Sequence, residues 1–135
     1  MDQETLQAAL AEYFAPWVLE LGLKVERFDT DSVTLRLSQN DALSREGGML
    51  CGQAMMAAAD TAMVLALINQ FGEFRPCTTV QMSSSFLKPL SKQDALVQAR
   101  VVRAGKTLAF GEIDVRGAGD GKSVSRSSVT YALLG

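Results

Sequence analysis

Apolar residues recur at helical spacing over residues 3–14, with Leu6, Leu10, Tyr13 and Phe14 on one face. Asp2 stands where a helix cap belongs and Glu4 suits the positive end of the helix dipole. Pro16 ends the pattern, because the residue before a proline avoids the helical region. Residues 23–28 and 32–38 read as two strands around a turn at Asp29-Thr30-Asp31, and Val33, Leu35 and Leu37 alternate with Thr34 and Arg36. That period of two belongs to a sheet with one wet face. A polar loop covers residues 39–48. Residues 52–70 are apolar around nearly their whole circumference and rich in Ala and Met, which predicts a helix buried on most sides. After a turn at 71–76 come strand-like runs at 77–87, 95–104, 108–115 and 123–133, with reversals supplied by Gly105-Lys106 and residues 117–121. The order is helix, two strands, a central helix, then four strands. An antiparallel sheet wrapped around the central helix, with a helix at the N-terminus, satisfies it as an α+β fold, and a parallel α/β sheet does not.

The length of 135 residues fits one domain, residues 1–135. A hydrophobic share of 47% builds a real core, and the net charge of -2 lacks the basic surplus of a nucleic-acid footprint. Cys51 and Cys77 are too few for a disulfide framework, and the first residues carry acids with no basic stretch before an apolar one. The longest apolar run, residues 54–68, is about 15 residues where a bilayer needs roughly 20. A cytoplasmic protein without a membrane or nucleic-acid partner is expected. The count that narrows the chemistry most is that of histidine, which is zero. Ser-His-Asp and Cys-His pairs and most zinc sites are excluded, so acid–base work falls to a carboxylate, lysine, tyrosine or thiol.

Asp60 is the first candidate. It sits mid-helix among Ala57, Ala58, Ala59, Ala62 and Met63, where lost hydration makes a carboxylate a stronger base. A partner lysine or arginine from the sheet, or a narrow polar stripe, is the alternative. The helix start is the second candidate. Gly48 and Gly52 lead into it, and the first backbone amides of a helix lack intrahelical partners, so they suit a developing oxyanion. An ordinary glycine-rich turn explains the same residues. Gly52 and Asp60 are eight positions apart, about 12 Å along a helix, whereas a reacting carbonyl needs both within roughly 3 Å. If both act on one carbonyl, two chains must contribute, with their central helices antiparallel across a two-fold axis.

The stretch from Gly48 through Asp60 to Ala62 resembles the signature of hotdog acyl-CoA thioesterases of the phenylacetate-degradation type, a G-x-x-H-G-G loop followed by L-A-D. Residues 79–89, ending Phe86-Leu87-Lys88-Pro89, resemble their next motif, and residues 101–109 and 111–115 resemble later strands. The likeness runs from about Val33 to the C-terminus. It implies the hotdog fold, hydrolysis of an acyl-CoA to free acid and coenzyme A, and a homodimer or homotetramer. It further implies Asp60 as nucleophile or general base, the Gly52 N–H as oxyanion donor, and Thr79, with Thr78 as near substitute, as the hydroxyl orienting the carboxylate or the water. No cofactor is implied, coenzyme A being part of the substrate.

Three positions depart from the family pattern. The loop histidine is Cys51, the second glycine is Gln53, and the asparagine seven residues before the oxyanion glycine is Arg45. These bear on substrate choice, and Arg45 suits a substrate carbonyl or carboxylate. A thiol beside a helix start can be nucleophilic, yet no histidine is present to activate Cys51. Lys88 and Lys106, with Arg103, Lys122 and Arg126, fall near strand ends or turns, where they can meet coenzyme A phosphates or simply face water. Met55, Met56 and Met63 suit an acyl pocket or plain core filling. An acyl-CoA-binding hotdog protein without turnover is the alternative function. A hydratase of this fold needs the missing histidine.

Overall fold

In the computed structural model, which describes residues 1–135, α1 spans Gln3–Tyr13, and its cap is the expected one, with the Asp2 carboxylate accepting from Thr5 N–H at 2.8 Å. Pro16 does more than stop this helix. It opens a four-residue helix, α2 (Pro16–Leu19), at the first-turn position where a missing N–H costs nothing. Strands β1 (Lys24–Phe28) and β2 (Ser32–Leu37) pair as a hairpin. Residues 39–48, expected as a loop, hold a 3-10 turn at Asp41–Leu43 and the first strand of a small second sheet, β3 (Ser44–Arg45) with β4 (Met49–Leu50). Then come α3 (Gly52–Phe71), β5 (Cys77–Phe86), β6 (Ala95–Ala104), β7 (Leu108–Gly117) and β8 (Ser123–Leu133).

The main sheet is antiparallel in the order β1-β2-β6-β7-β8-β5, and it curls around α3. Inward residues Leu35, Leu37, Val97, Ala99, Ile113 and Val115 are buried with Ala58, Ala62, Met63, Leu65 and Ala66 of the helix. Alanines let the helix axis approach the sheet, and at the tightest point even an alanine is too large. A Cβ on Gly111 would lie 2.2 Å from Met63 Sδ. The outer face is not wholly wet, since Thr34, between its cross-strand neighbours Arg27 and Gln98, is buried.

Helix α3 is buried on most sides, as expected, and two of its features refine that expectation. It is 20 residues long, enough by length and hydropathy to cross a bilayer, but 61% of its apolar window is enclosed by the rest of the chain. Its burial is also incomplete. Gln53 and Met56 are exposed, and Ala57, Asp60 and Val64 are half-buried, so one stripe along the helix is uncovered.

The two edges of the sheet are treated differently. Along β1, Gln7 of α1 donates to Leu23 O at 3.2 Å and accepts from Val25 N–H at 2.7 Å, while Gln3 donates to Val25 O at 2.8 Å. Helix side chains thus stand in for a missing strand. The other edge, β5, is ten residues long, and its outward backbone groups have no partner. Val80, 58% exposed, lies on it.

Candidate active site

Asp60 lies on the uncovered stripe of α3, facing the β5–β8 end of the sheet. Thr79 Oγ1 donates to its carboxylate, 3.0 Å from Oδ1 and 3.3 Å from Oδ2. The Tyr131 hydroxyl donates to Oδ1 as well, and lies 3.1 Å from the Asp60 backbone carbonyl. No lysine or arginine pairs with Asp60. Two neutral hydroxyls orient this carboxylate without neutralising it. Thr79 and Tyr131 reach the same group because they are register partners on β5 and β8. Thr78, expected as a near substitute for Thr79, points to the opposite face, because successive strand residues alternate, and it does not contact Asp60.

The register slips by one residue between Thr79 and Gln81. This bulge reverses the alternation of β5, so that Cys77 and Thr79 face inward before it and Met82 and Ser84 after it. Bulges are common beside active sites, where they re-aim side chains. Burial, then the hydrogen bond and charge of Asp60, push the Tyr131 phenol far above the usual tyrosine range. Burial, then the charge of Asp60, push the Cys77 thiol up. Both neighbours of the carboxylate therefore stay protonated at neutral pH.

A second group of expected residues gathers at the start of α3. Cys51 occupies the cap position, no side chain caps the helix, and the Gly52 N–H has no partner within the chain. Gly47 and Gly48, with φ of 95° and 78°, turn the β3–β4 hairpin through a conformation that glycine adopts freely, and this hangs Arg45 beside the helix start. Arg45, Met49, Met55, Phe86 and Lys88 border a cavity of about 360 Å³ next to Gly52. Met55 thus lines this space, whereas Met63 is fully buried core. Neither Arg45 nor Lys88 has an ion-pair partner. Gln53 is exposed on the first turn of α3, and Lys106 lies in the β6–β7 turn, near the Asp60 end of the sheet.

The expected residues therefore form two clusters within one chain: Asp60, Thr79 and Lys106 at one end, and Gly52, Cys51, Gln53, Arg45 and Lys88 at the other. Tyr131 was missed by the sequence reading. A larger hollow of about 700 Å³ lies against the outer sheet face, but Arg100–Glu112 and Arg126–Asp114 pairs occupy its charges, at 2.9 and 3.6 Å.

Residues 47–124, which carry the glycine turn, Gly52, Asp60, Thr79 and Lys88, match the model of the thioesterase superfamily. The chain belongs to that superfamily. Membership places it among hydrolases. A "putative esterase" of Saccharolobus solfataricus is 29% identical over 69% of this chain, and the match spans 61% of that protein's length. Another from Sulfurisphaera tokodaii is 30% identical over 70% of this chain and 69% of its own. Among solved structures, a thioesterase-like protein of Silicibacter sp. TM1040 superposes with a TM-score of 0.89 at 29% identity, over 100% of this chain and 93% of the other. The hotdog arrangement implied by the signature residues is the one observed.

Proposed function

We propose that the protein hydrolyses acyl-CoA thioesters as a homodimer, or a tetramer of such dimers, in the cytoplasm, and that its subfamily is the phenylacetate-degradation type. The observation that carries this reading is the placement of Asp60. It is ion-pair-free, held by two hydroxyls, and set on an uncovered helix face about 12 Å from the free Gly52 amide. Within one chain that distance separates the two groups a reaction needs. Antiparallel apposition of two α3 stripes brings Asp60 of one copy to Gly52 of the partner subunit. The bare β5 edge favours the same association, since a long unpaired edge is a template for a second strand.

In such a site the thioester carbonyl oxygen points at the Gly52 N–H. Asp60 takes a proton from a water molecule as its oxygen bonds to the carbonyl carbon, or bonds to that carbon itself and is released by water in a second step. In both routes the carbon–sulfur bond of the tetrahedral adduct breaks and coenzyme A leaves as a thiolate, which needs no strong general acid. In the covalent route this yields an acyl–Asp60 anhydride, and only then does water attack. Arg45 and Lys88 flank the cavity beside Gly52 and supply positive charge for coenzyme A phosphates or a substrate carboxylate, with Lys106 offering a further cation across the interface. Cys51 and Gln53 shape the loop and the adjacent helix face.

The test is thiol release from short, long and aromatic acyl-CoAs by wild type and Asp60→Asn. Turnover that falls at least about a hundredfold in the variant supports the reading. Binding of acyl-CoA by a folded wild-type protein without turnover of any thioester replaces it with a binding protein.

A further inference from the structure

Resting on that reading of Asp60, we infer that Tyr131 is a positioning residue that fixes which carboxylate oxygen reacts. Its hydroxyl and that of Thr79 converge on Oδ1, so that Oδ2 is the oxygen that meets water or the thioester carbon.

The asymmetry is geometric. Oδ1 accepts from Tyr131 and, at 3.0 Å, from Thr79, whereas the nearest donor to Oδ2 is the same Thr79 hydroxyl at 3.3 Å. A carboxylate oxygen engaged by two donors has its lone pairs occupied, and the other keeps them free. The Tyr131 oxygen also lies 3.1 Å from the Asp60 backbone carbonyl, so it touches both ends of the residue and limits rotation of the side chain. The ring that carries this hydroxyl is itself buried, being 2% exposed on β8 between β7 and β5. By contrast Thr79 stands on the sheet edge and is exposed, so the buried part of the anchor is the tyrosine.

The polar surroundings of Asp60 are few, which makes the effect readable. Cys77 and Thr79 face it from β5 and Tyr131 from β8. The inward residues of β6 and β7 in the rows nearest Tyr131, Val101, Ala104, Ala109 and Gly111, carry no charge. Tyr131 remains a donor throughout the working range, since burial and Asp60 hold its phenol protonated. A donor to the ionised carboxylate favours that form. Removing it makes the active form harder to reach as pH falls and leaves the side chain freer to turn Oδ2 away.

Tyr131→Phe keeps the ring and deletes the one oxygen. The expected result is a fall in kcat of about tenfold to a hundredfold with KM within about threefold, because a mispositioned base lowers chemistry more than binding. The acidic limb of the kcat/KM profile moves to higher pH in the same variant. A merely structural tyrosine would move neither the kcat-to-KM split nor the limb. Should Tyr131→Phe not fold, Tyr131→3-fluorotyrosine keeps the packing and strengthens the donor, and the limb then moves to lower pH. Wild-type kcat and an unmoved limb in a folded Tyr131→Phe, while Asp60→Asn is inactive, overturn the role of Tyr131 alone. Full turnover by Asp60→Asn overturns the reading of Asp60 on which it rests.

Discussion

Thr79 and Tyr131 sit directly opposite each other on β5 and β8, and both of their hydroxyls reach the Asp60 carboxylate. The two are not equivalent. Thr79 is exposed on a sheet edge, so its loss leaves no buried group unpaired. Thr79→Val is expected to lower kcat about tenfold while changing stability by less than about 1 kcal/mol, the ordinary range for a surface position. Steady-state kinetics and thermal melts on one preparation check both halves.

Tyr131 carries a pH signature in folding. Its phenol is raised in the native state above its ordinary value near 10. Above that pH the unfolded chain loses the proton while the native chain keeps it. The stability tied to the raised value is therefore fully present below about pH 10 and is lost as pH rises beyond it. Tyr131→Phe is expected to be less stable than wild type at pH 7 by about 1 kcal/mol, for the lost hydrogen bond. The gap should narrow above pH 10, because the variant lacks the group that titrates. Melting temperatures of the two proteins from pH 8 to pH 11 read this out, and a constant gap contradicts it.

Packing between α3 and the sheet is tightest at Gly111. An added Cβ there meets Met63 Sδ at 2.2 Å and Arg100 O at 3.1 Å. The sulfur can shift, and the backbone oxygen cannot shift without disturbing β6. Gly111→Ala is expected to cost about 1–3 kcal/mol, the usual range for overpacking a core. Denaturant unfolding measures it, and a change below about 0.5 kcal/mol would show that the helix has slack at this point.

On the proposed reading, the unpaired cations beside Gly52 serve binding of the nucleotide and not chemistry. Lys88→Ala is expected to raise KM for an acyl-CoA about tenfold and to leave KM for the matching thioester of a short, uncharged thiol within twofold, since only the first carries phosphates. Equal effects on both substrates would assign Lys88 to the acyl side. Arg45→Ala, compared on acyl chains with and without a terminal carboxylate, makes the same distinction for the acyl group.

Much of this arrangement was legible before the structure. The apolar run within 52–70, interrupted by Asp60 and Thr61, marked the central helix, and Asp60 stood out as the one charged residue in it. Glycines at 48 and 52 marked the loop. Each of these is a local signal. Tyr131 was not legible, because Val129-Tyr131-Leu133 reads as ordinary inward alternation, and only the register of β8 against β5 aims its hydroxyl at a helix far away in sequence. The β3–β4 hairpin was hidden because strands of two residues are too short to show a period. The bulge at Val80 did leave a trace, in the change of phase between Thr79 and Met82. The split of the site into two clusters was foreseen from the spacing of Gly52 and Asp60, because a helix fixes distance along its axis.

If Asp60 and Gly52 serve one reaction from different chains, two subunits with separate defects should complement each other when mixed. Gly52→Pro removes the N–H while respecting the fold, since proline is tolerated at the first helical position and Cys51, at φ -73° and ψ 150°, already has the conformation a preceding residue needs. Phe86, 3.4 Å from a Cβ at this position, needs to yield only slightly. Alone, Gly52→Pro and Asp60→Asn should each lose at least about a hundredfold in kcat. Co-expressed in equal amounts, they form mixed dimers in which one of the two sites joins an intact Asp60 to an intact Gly52. Random pairing then predicts recovery of roughly a quarter of wild-type activity. Mixed dimers that form and stay as inactive as either parent would contradict the shared site.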